Sequence, residues 1–305
     1  MTEKFCGHGE VVRICLSAAA GGDTRGRSRR YNGGMDSEVE TQPVAATGKA
    51  ARGIGRTERL WNDSNLANPH LPSDKSARVQ AMFAAIAPAY DLNNHLHSMG
   101  IDHLWRRRAV AKAQVQPTDI VADIACGTGD LSLAFAHAGA KRVVGLDFCH
   151  PMICGALSKA ERNHARRLLA FSDGDATRLP LSDGSVDIVS IAFGLRNVDR
   201  WEKAIEEFFR VLRPGGRLVI LEFTTPPNAF VRGIFNLYFN YIVPTTASLI
   251  SRDQTGAYHY LPRSVDTFPG SKKICDALAN AGFSDVTYES LTLGICACYR
   301  GLRHG

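Results

Sequence analysis

Three carboxylates stand where short apolar runs end: Asp123 after Ile120-Val121-Ala122, Asp147 after Val144-Gly145-Leu146, and Asp175 within Asp173-Gly174-Asp175-Ala176. The first leads a loop, Cys126-Gly127-Thr128-Gly129, that closes on Asp130. A glycine loop between a strand and a helix lets backbone approach a ligand closely. The dinucleotide fingerprint G-x-G-x-x-G is not met, because no third glycine follows Gly129. A loop led by a carboxylate suits a cationic cofactor better than a pyrophosphate. S-adenosylmethionine carries a sulfonium and an ammonium, so methyl transfer is the first chemistry to expect. Asp123, Gly127 and Gly129 would then frame the cofactor. Asp147 would accept hydrogen bonds from its ribose hydroxyls, Asp175 would hold the adenine amino group, and Ala176 would pack beside the ring. Any one strand-end Asp reads equally well as a helix cap or turn former. Three at successive strand ends converge on one crevice. Cys126 reads as a small residue on a crowded turn rather than a nucleophile.

The elements that must position these acids follow from hydrophobic period. Strand candidates are 119–124, 142–147, 168–172, 186–192 and 217–223, with helices expected over 130–138, 151–164 and 199–212. Short apolar strands alternating with helices imply parallel βαβ units with helices on both faces. After a helix over 271–281, two further strands, 283–289 and 292–299, are joined through Ser290-Leu291 and read as a terminal antiparallel hairpin. The expected fold is α/β: a Rossmann-like, class I S-adenosylmethionine-dependent methyltransferase with a mostly parallel seven-stranded sheet and that C-terminal hairpin. Upstream, Val79, Met82, Phe83 and Ile86 form an amphipathic stripe, and 101–113 reads as a second helix. Residues 1–72 show no sustained periodicity and are expected to be a disordered extension, with the methyltransferase domain over 73–305.

The 305 residues carry 45% hydrophobic and 22% charged residues, as expected of a globular protein. The net charge of +6 comes largely from local arginine clusters, and no nucleic-acid partner is expected. None of the eight cysteines forms C-x-x-C, and no His/Cys pair has zinc spacing, so no metal is expected. No run is long and apolar enough for a transmembrane helix. Acids such as Glu3, Glu10 and Asp23 argue against a transit peptide, and a cytoplasmic protein is expected.

Two stretches carry a family resemblance. Tyr90-Asp-Leu-Asn-Asn-His-Leu-His-Ser-Met-Gly-Ile-Asp-His-Leu-Trp105 resembles the first signature of the ubiquinone/menaquinone biosynthesis C-methyltransferase family, and Arg210 through Thr224 resembles the second. Phe193-Gly-Leu-Arg-Asn-Val198 and Tyr258 through Pro269 continue the likeness, which runs from about residue 78 to 301. Asn93 and His97 stand where the first signature usually has apolar residues. The resemblance implies methyl transfer from S-adenosylmethionine to a ring carbon of a polyprenylated benzoquinol or naphthoquinol, with Thr128 among the cofactor contacts. Demethylmenaquinol is the expected acceptor, because Asn94-His95-Leu96 and Gly100-Ile101-Asp102 resemble bacterial menaquinone-type members. The ubiquinone-pathway benzoquinol, or another small molecule, is the alternative. A cofactor-binding subunit without catalysis is a third reading.

Carbon methylation needs an electron-rich, phenolate-like ring, in-line placement, and removal of a proton afterwards. Arg196 is permanently cationic and suits developing phenolate charge, and Asn197 suits orientation of a water or a quinol oxygen. The two are the expected catalytic pair. Tyr90, Asp91 and His97 are expected at the substrate pocket, with Asp91, His97 or a water on Asn197 as proton acceptor. The aromatic run from Phe230 to Ile242 reads as a prenyl channel or bilayer contact at the inner membrane face, or equally as a core helix. The expectation also leaves room for a homodimer.

Overall fold

The computed structural model describes residues 60–251 and 255–305. Seven strands form one sheet: β1 (Ile120–Ile124), β2 (Arg142–Asp147), β3 (Leu169–Asp173), β4 (Val186–Ala192), β5 (Leu212–Phe223), β6 (Ser284–Leu291) and β7 (Cys296–Leu302). They lie in the order β3-β2-β1-β4-β5-β7-β6. The first five pair in parallel, and β7 inserts antiparallel between β5 and β6, with Phe223 opposite Cys296. This is the expected mostly parallel sheet with its antiparallel end. The chain winds outward in both directions from β1 and β4, so the carboxyl ends of these two strands flank the switch point where α/β sheets bind ligands.

The helices are α1 (Asp63–Leu66), α2 (Lys75–Ile86), α3 (Tyr90–His97), α4 (Ile101–Ala113), α5 (Asp130–His137), α6 (His150–Arg162), α7 (Trp201–Val211), α8 (Ala229–Leu237), α9 (Val243–Ser251), α10 (Ala257–Asp266) and α11 (Ser271–Asn280). Helix α7 shows why such segments fold as they do. Trp201, Ala204, Ile205, Phe208 and Val211 share one face, and all are buried. Burying a side chain of that size contributes about 1.5–3 kcal/mol. A second core lies apart from the sheet, where Trp61, Val79, Met82 and Ile86 meet Val243, Tyr258 and Tyr260.

Two expectations need correction. Residues 1–59 of the extension lie outside the described residues, but 60–72 are packed: Trp61 is 1% exposed and its ring sits 4.3 Å from that of Tyr260. One tryptophan in a polar stretch gives no period, yet it carries enough apolar surface to anchor the chain. The hairpin connection is not Ser290-Leu291, which lies within β6. The turn falls on Thr292, Leu293 and Gly294, all with positive φ, and the second strand begins only at Cys296. Residues 90–97 form α3, and the Phe230–Ile242 run is α8 continued by a π-helical turn over Tyr238–Ile242.

Candidate active site

The loop after β1 bends through Ala125, Gly127 and Gly129, all at positive φ. Its shape is held from the neighbouring strand: the Asp147 carboxylate accepts from the backbone N–H of Gly127 at 2.8 Å and of Cys149 at 2.9 Å. Each carboxylate oxygen has one protein donor and a second lone pair to offer. Burial pushes the Asp147 carboxyl up to about 6. Asp147, Gly127, Asp175 and Ala176 line one cavity of about 250 Å³, together with Phe148 and Met152. Asp175 is exposed at its edge, with one oxygen accepting from the Thr177 N–H and hydroxyl. These carboxylate acceptors fit a cofactor that carries ribose hydroxyls and positive charge.

Asp123, Thr128 and Gly129 do not line this cavity. Asp123 is 1% exposed and accepts from Ser132 Oγ at 2.6 Å and Ser190 Oγ at 2.8 Å, behind the loop. Burial pushes its carboxyl up to about 6. Gly129 caps α5, where an added Cβ would meet Phe171 at 3.1 Å and Ala156 at 3.2 Å. The Thr128 hydroxyl donates to Asp91, and Lys159 holds Asp91 at 2.7 Å, Thr128 at 3.1 Å, and Asp130 besides. Asp91 thus ties α3 to the glycine loop and lies on the wall of neither cavity described here. Cys126 is buried, and burial raises its thiol far above the ordinary range, which removes it as a nucleophile.

The turn after β4 carries the expected catalytic pair. Phe193 has φ +56°, and an added Cβ on Gly194 would sit 2.6 Å from Ala125 Cβ, so the two strand ends pass as closely as a glycine allows. Arg196 is 5% exposed and its Nη1 pairs with Glu222 at 2.7 Å, a carboxylate wholly buried on β5. Nη1 also donates to Phe193 O and Nε to Ser264 Oγ; Nη2 has no protein acceptor among the described residues. Asn197 is held at both ends: Nδ2 donates to Phe193 O at 3.3 Å and Oδ1 accepts from the Tyr260 hydroxyl at 2.9 Å. It faces the cofactor cavity.

A larger, mostly apolar cavity of about 490 Å³ adjoins this turn. Arg196 lies on its wall with Trp105, Phe223, Phe235 and Phe239, and Met99, Phe230, Ile234 and Leu293 are exposed at its rim. Phe83, Tyr90 and Phe193 line both cavities, so the two meet across an aromatic wall. His97 lines the apolar cavity, but Nδ1 bonds Asn93 O at 2.8 Å and Nε2 meets Thr246 Oγ1 at 2.6 Å.

Several site residues escaped the sequence. Glu222 had a signal: an acid inside Leu218-Val-Ile-Leu-Glu-Phe must find a cation if that run is buried. Lys159 had none, and Tyr260 lies within the Tyr258–Pro269 likeness with nothing to mark its bond to Asn197. Lys75 is 1% exposed and gives its three protons to His70 Nδ1, Arg196 O and Val198 O at 3.0–3.1 Å, bracing the turn from α2. Burial lowers its ammonium to about 8.

Glycine loop, strand-end carboxylate, switch-point crevice and antiparallel seventh strand together define an S-adenosylmethionine-dependent methyltransferase of the Rossmann-like class. Solved structures agree on the fold: a methyltransferase from Thermotoga maritima aligns with TM-score 0.52 at 19% identity, covering 74% of this chain and 99% of its own. A chain in the complex of the Haloferax volcanii Trm112 methyltransferase activator with a methyltransferase aligns at 0.54 and 19%, covering 73% and 98%. The chain belongs to the ubiE/COQ5 methyltransferase family, whose model matches residues 72–303. It is 47% identical over 224 residues to the demethylmenaquinone methyltransferase of Thermus thermophilus, covering 73% of this chain and all of that one. It is 38% identical over 232 residues to the ubiquinone/menaquinone biosynthesis C-methyltransferase of Geotalea daltonii, covering 75% and 97%.

Proposed function

We propose that this enzyme methylates a ring carbon of a polyprenylated quinol, demethylmenaquinol, in respiratory quinone biosynthesis. The observation that carries the reading is the pair of cavities: one lined by Asp147 and Asp175, the other mostly apolar with the Arg196 guanidinium on its wall, and aromatic side chains between them. S-adenosylmethionine supplies the electrophilic methyl, so placement is most of what the protein must add. In this reading Asp147 holds the ribose hydroxyls, Gly127 gives backbone room, and Ala176 and Asp175 meet the adenine end. Asp123, Thr128 and Gly129 act one step back, by fixing the loop.

Arg196 does the work on the acceptor. Glu222 orients its guanidinium and Nη2 remains to face the quinol oxygen, where phenolate charge raises the nucleophilicity of the neighbouring carbon. Asn197 is bonded at both ends and keeps the turn in place instead of holding a water. Asp91 is committed to Lys159, and both His97 nitrogens are engaged, so the ring proton leaves to solvent. The exposed apolar rim supports contact with a membrane surface as the quinol enters. No helix among the described residues is long and apolar enough to cross a membrane.

Incubation of the protein with S-adenosylmethionine and reduced short-chain demethylmenaquinone tests this. Methylated naphthoquinol is expected, and Arg196→Ala should bind cofactor normally while losing about 100- to 1,000-fold in turnover. Relatives named for both quinones favour a benzoquinol as the second reading, and the same assay with a demethylated benzoquinol separates the two. Methylation of neither ring would overturn the reading.

A further inference from the structure

One polar side chain on the wall of the apolar cavity keeps an unmet atom. Asn93, on α3, is 2% exposed and lies on the cavity wall. Its Nδ2 donates to the Tyr258 hydroxyl, from α10, at 2.6 Å, and its Oδ1 has no hydrogen-bond partner. Exchanging the two ends of the amide only moves the unmet atom from Oδ1 to Nδ2. A buried amide with an unmet end is costly, and such groups are rare unless something else completes them. The backbone around it is fully engaged, since Asn93 O takes the His97 ring. Tyr258 fixes the amide from one side, so the open atom has a set position on a mostly apolar wall.

We propose that the Asn93 amide, set by Tyr258, is the second polar anchor for the acceptor and reads the ring hydroxyl that Arg196 does not hold. This rests on the quinol reading: a 1,4-diol carries two oxygens on opposite sides of one ring, and the cavity wall offers Arg196 Nη2 and the Asn93 amide for them, while Arg106 on the same wall is paired with Asp102 and Asn94 bonds Tyr90. A hydroxyl is donor and acceptor at once and so satisfies the amide in either orientation. Asn93 thereby selects a ring with two free hydroxyls over one with a single free hydroxyl, and it fixes which carbon faces the cofactor cavity. A site built to hydrogen-bond a substrate hydroxyl rejects analogues that lack it, because its own polar group is then left unpaired.

The test compares two reduced acceptors of equal tail length: the diol, and its monomethyl ether blocked at the hydroxyl distant from the methylated carbon. The wild-type enzyme is expected to favour the diol in kcat/KM by about 10- to 100-fold. Asn93→Leu should raise KM for the diol and bring the ratio close to one, with cofactor affinity unchanged. Tyr258→Phe, which frees the amide to turn, should lower the ratio partway and guards against Asn93→Leu failing to fold. A wild-type ratio near one, or a ratio that survives in both variants, overturns the proposal. Failure of the wild-type enzyme to methylate the diol at all is a different result: it removes the quinol reading itself, and this inference with it.

Discussion

Asp147 and Asp123 show how two residues with the same local pattern divide between ligand and scaffold. Both end a parallel strand, and burial raises both carboxyls to about 6. Only Asp147 reaches the cofactor cavity; Asp123 spends its lone pairs on two serines. Because the folded carboxyl sits above its ordinary value of 3.8, each group's contribution to stability is full below that value and is lost as pH rises through 6. If Asp147 holds the ribose hydroxyls, as proposed, cofactor binding has the opposite sign there, since only the ionised form accepts both. Calorimetric titration should therefore show S-adenosylmethionine affinity falling about tenfold per pH unit below 6. Asp147→Asn should remove that limb and Asp123→Asn should keep it; a limb that persists in Asp147→Asn assigns the effect elsewhere. The acids themselves were plain in the sequence, but which of them faces a ligand depends on Ser132 and Ser190, and no spacing rule announces two serines as acceptor-fillers.

Among the elements, the strand ends at the switch point carry the tightest constraint. Gly194 lets the turn after β4 pass the loop after β1, with Ile191 also within 3.2 Å of an added Cβ. Gly194→Ala should cost about 1–3 kcal/mol in urea unfolding and weaken cofactor binding, because the new methyl overpacks Ala125. Gly233→Ala, on α8 where an added Cβ meets nothing within 4 Å, is the control and should be neutral or mildly stabilising. Equal behaviour of the two would show that the close approach is not limiting. The parallel strands were legible because each is a short, mostly apolar run between turn signals, and α7 because its buried face has a clean helical period. Helix α8 was not. Phe230 and Ile234 are exposed at a rim while Phe235 is buried, so its apolar residues face a cavity as well as a core and the period is blurred. The hairpin turn was misplaced for another reason: Thr292 and Leu293 adopt left-handed backbone that their side chains disfavour, and only Gly294 advertised it.

At the scale of the whole molecule, exposed apolar side chains gather where the apolar cavity opens. Phe230 is 76% exposed, Leu293 74% and Met99 75%, and they come from three separate elements. Co-sedimentation with anionic phospholipid vesicles should show binding, and Phe230→Ser combined with Leu293→Ser should weaken it by about 100-fold. Undiminished binding by that variant would move the membrane contact off the rim. The sequence marked the aromatic run but could not show that a loop between β6 and β7 completes its edge. The brace formed by Lys75 has a consequence of a different kind. Its ammonium fastens the turn bearing Arg196 to a helix that precedes the first strand. The strand core is therefore not portable by itself: Phe83 and Tyr90, which also precede the first strand, wall both cavities, and a graft without them would arrive with the Asp147 cavity open on one side and the turn bearing Arg196 unmoored.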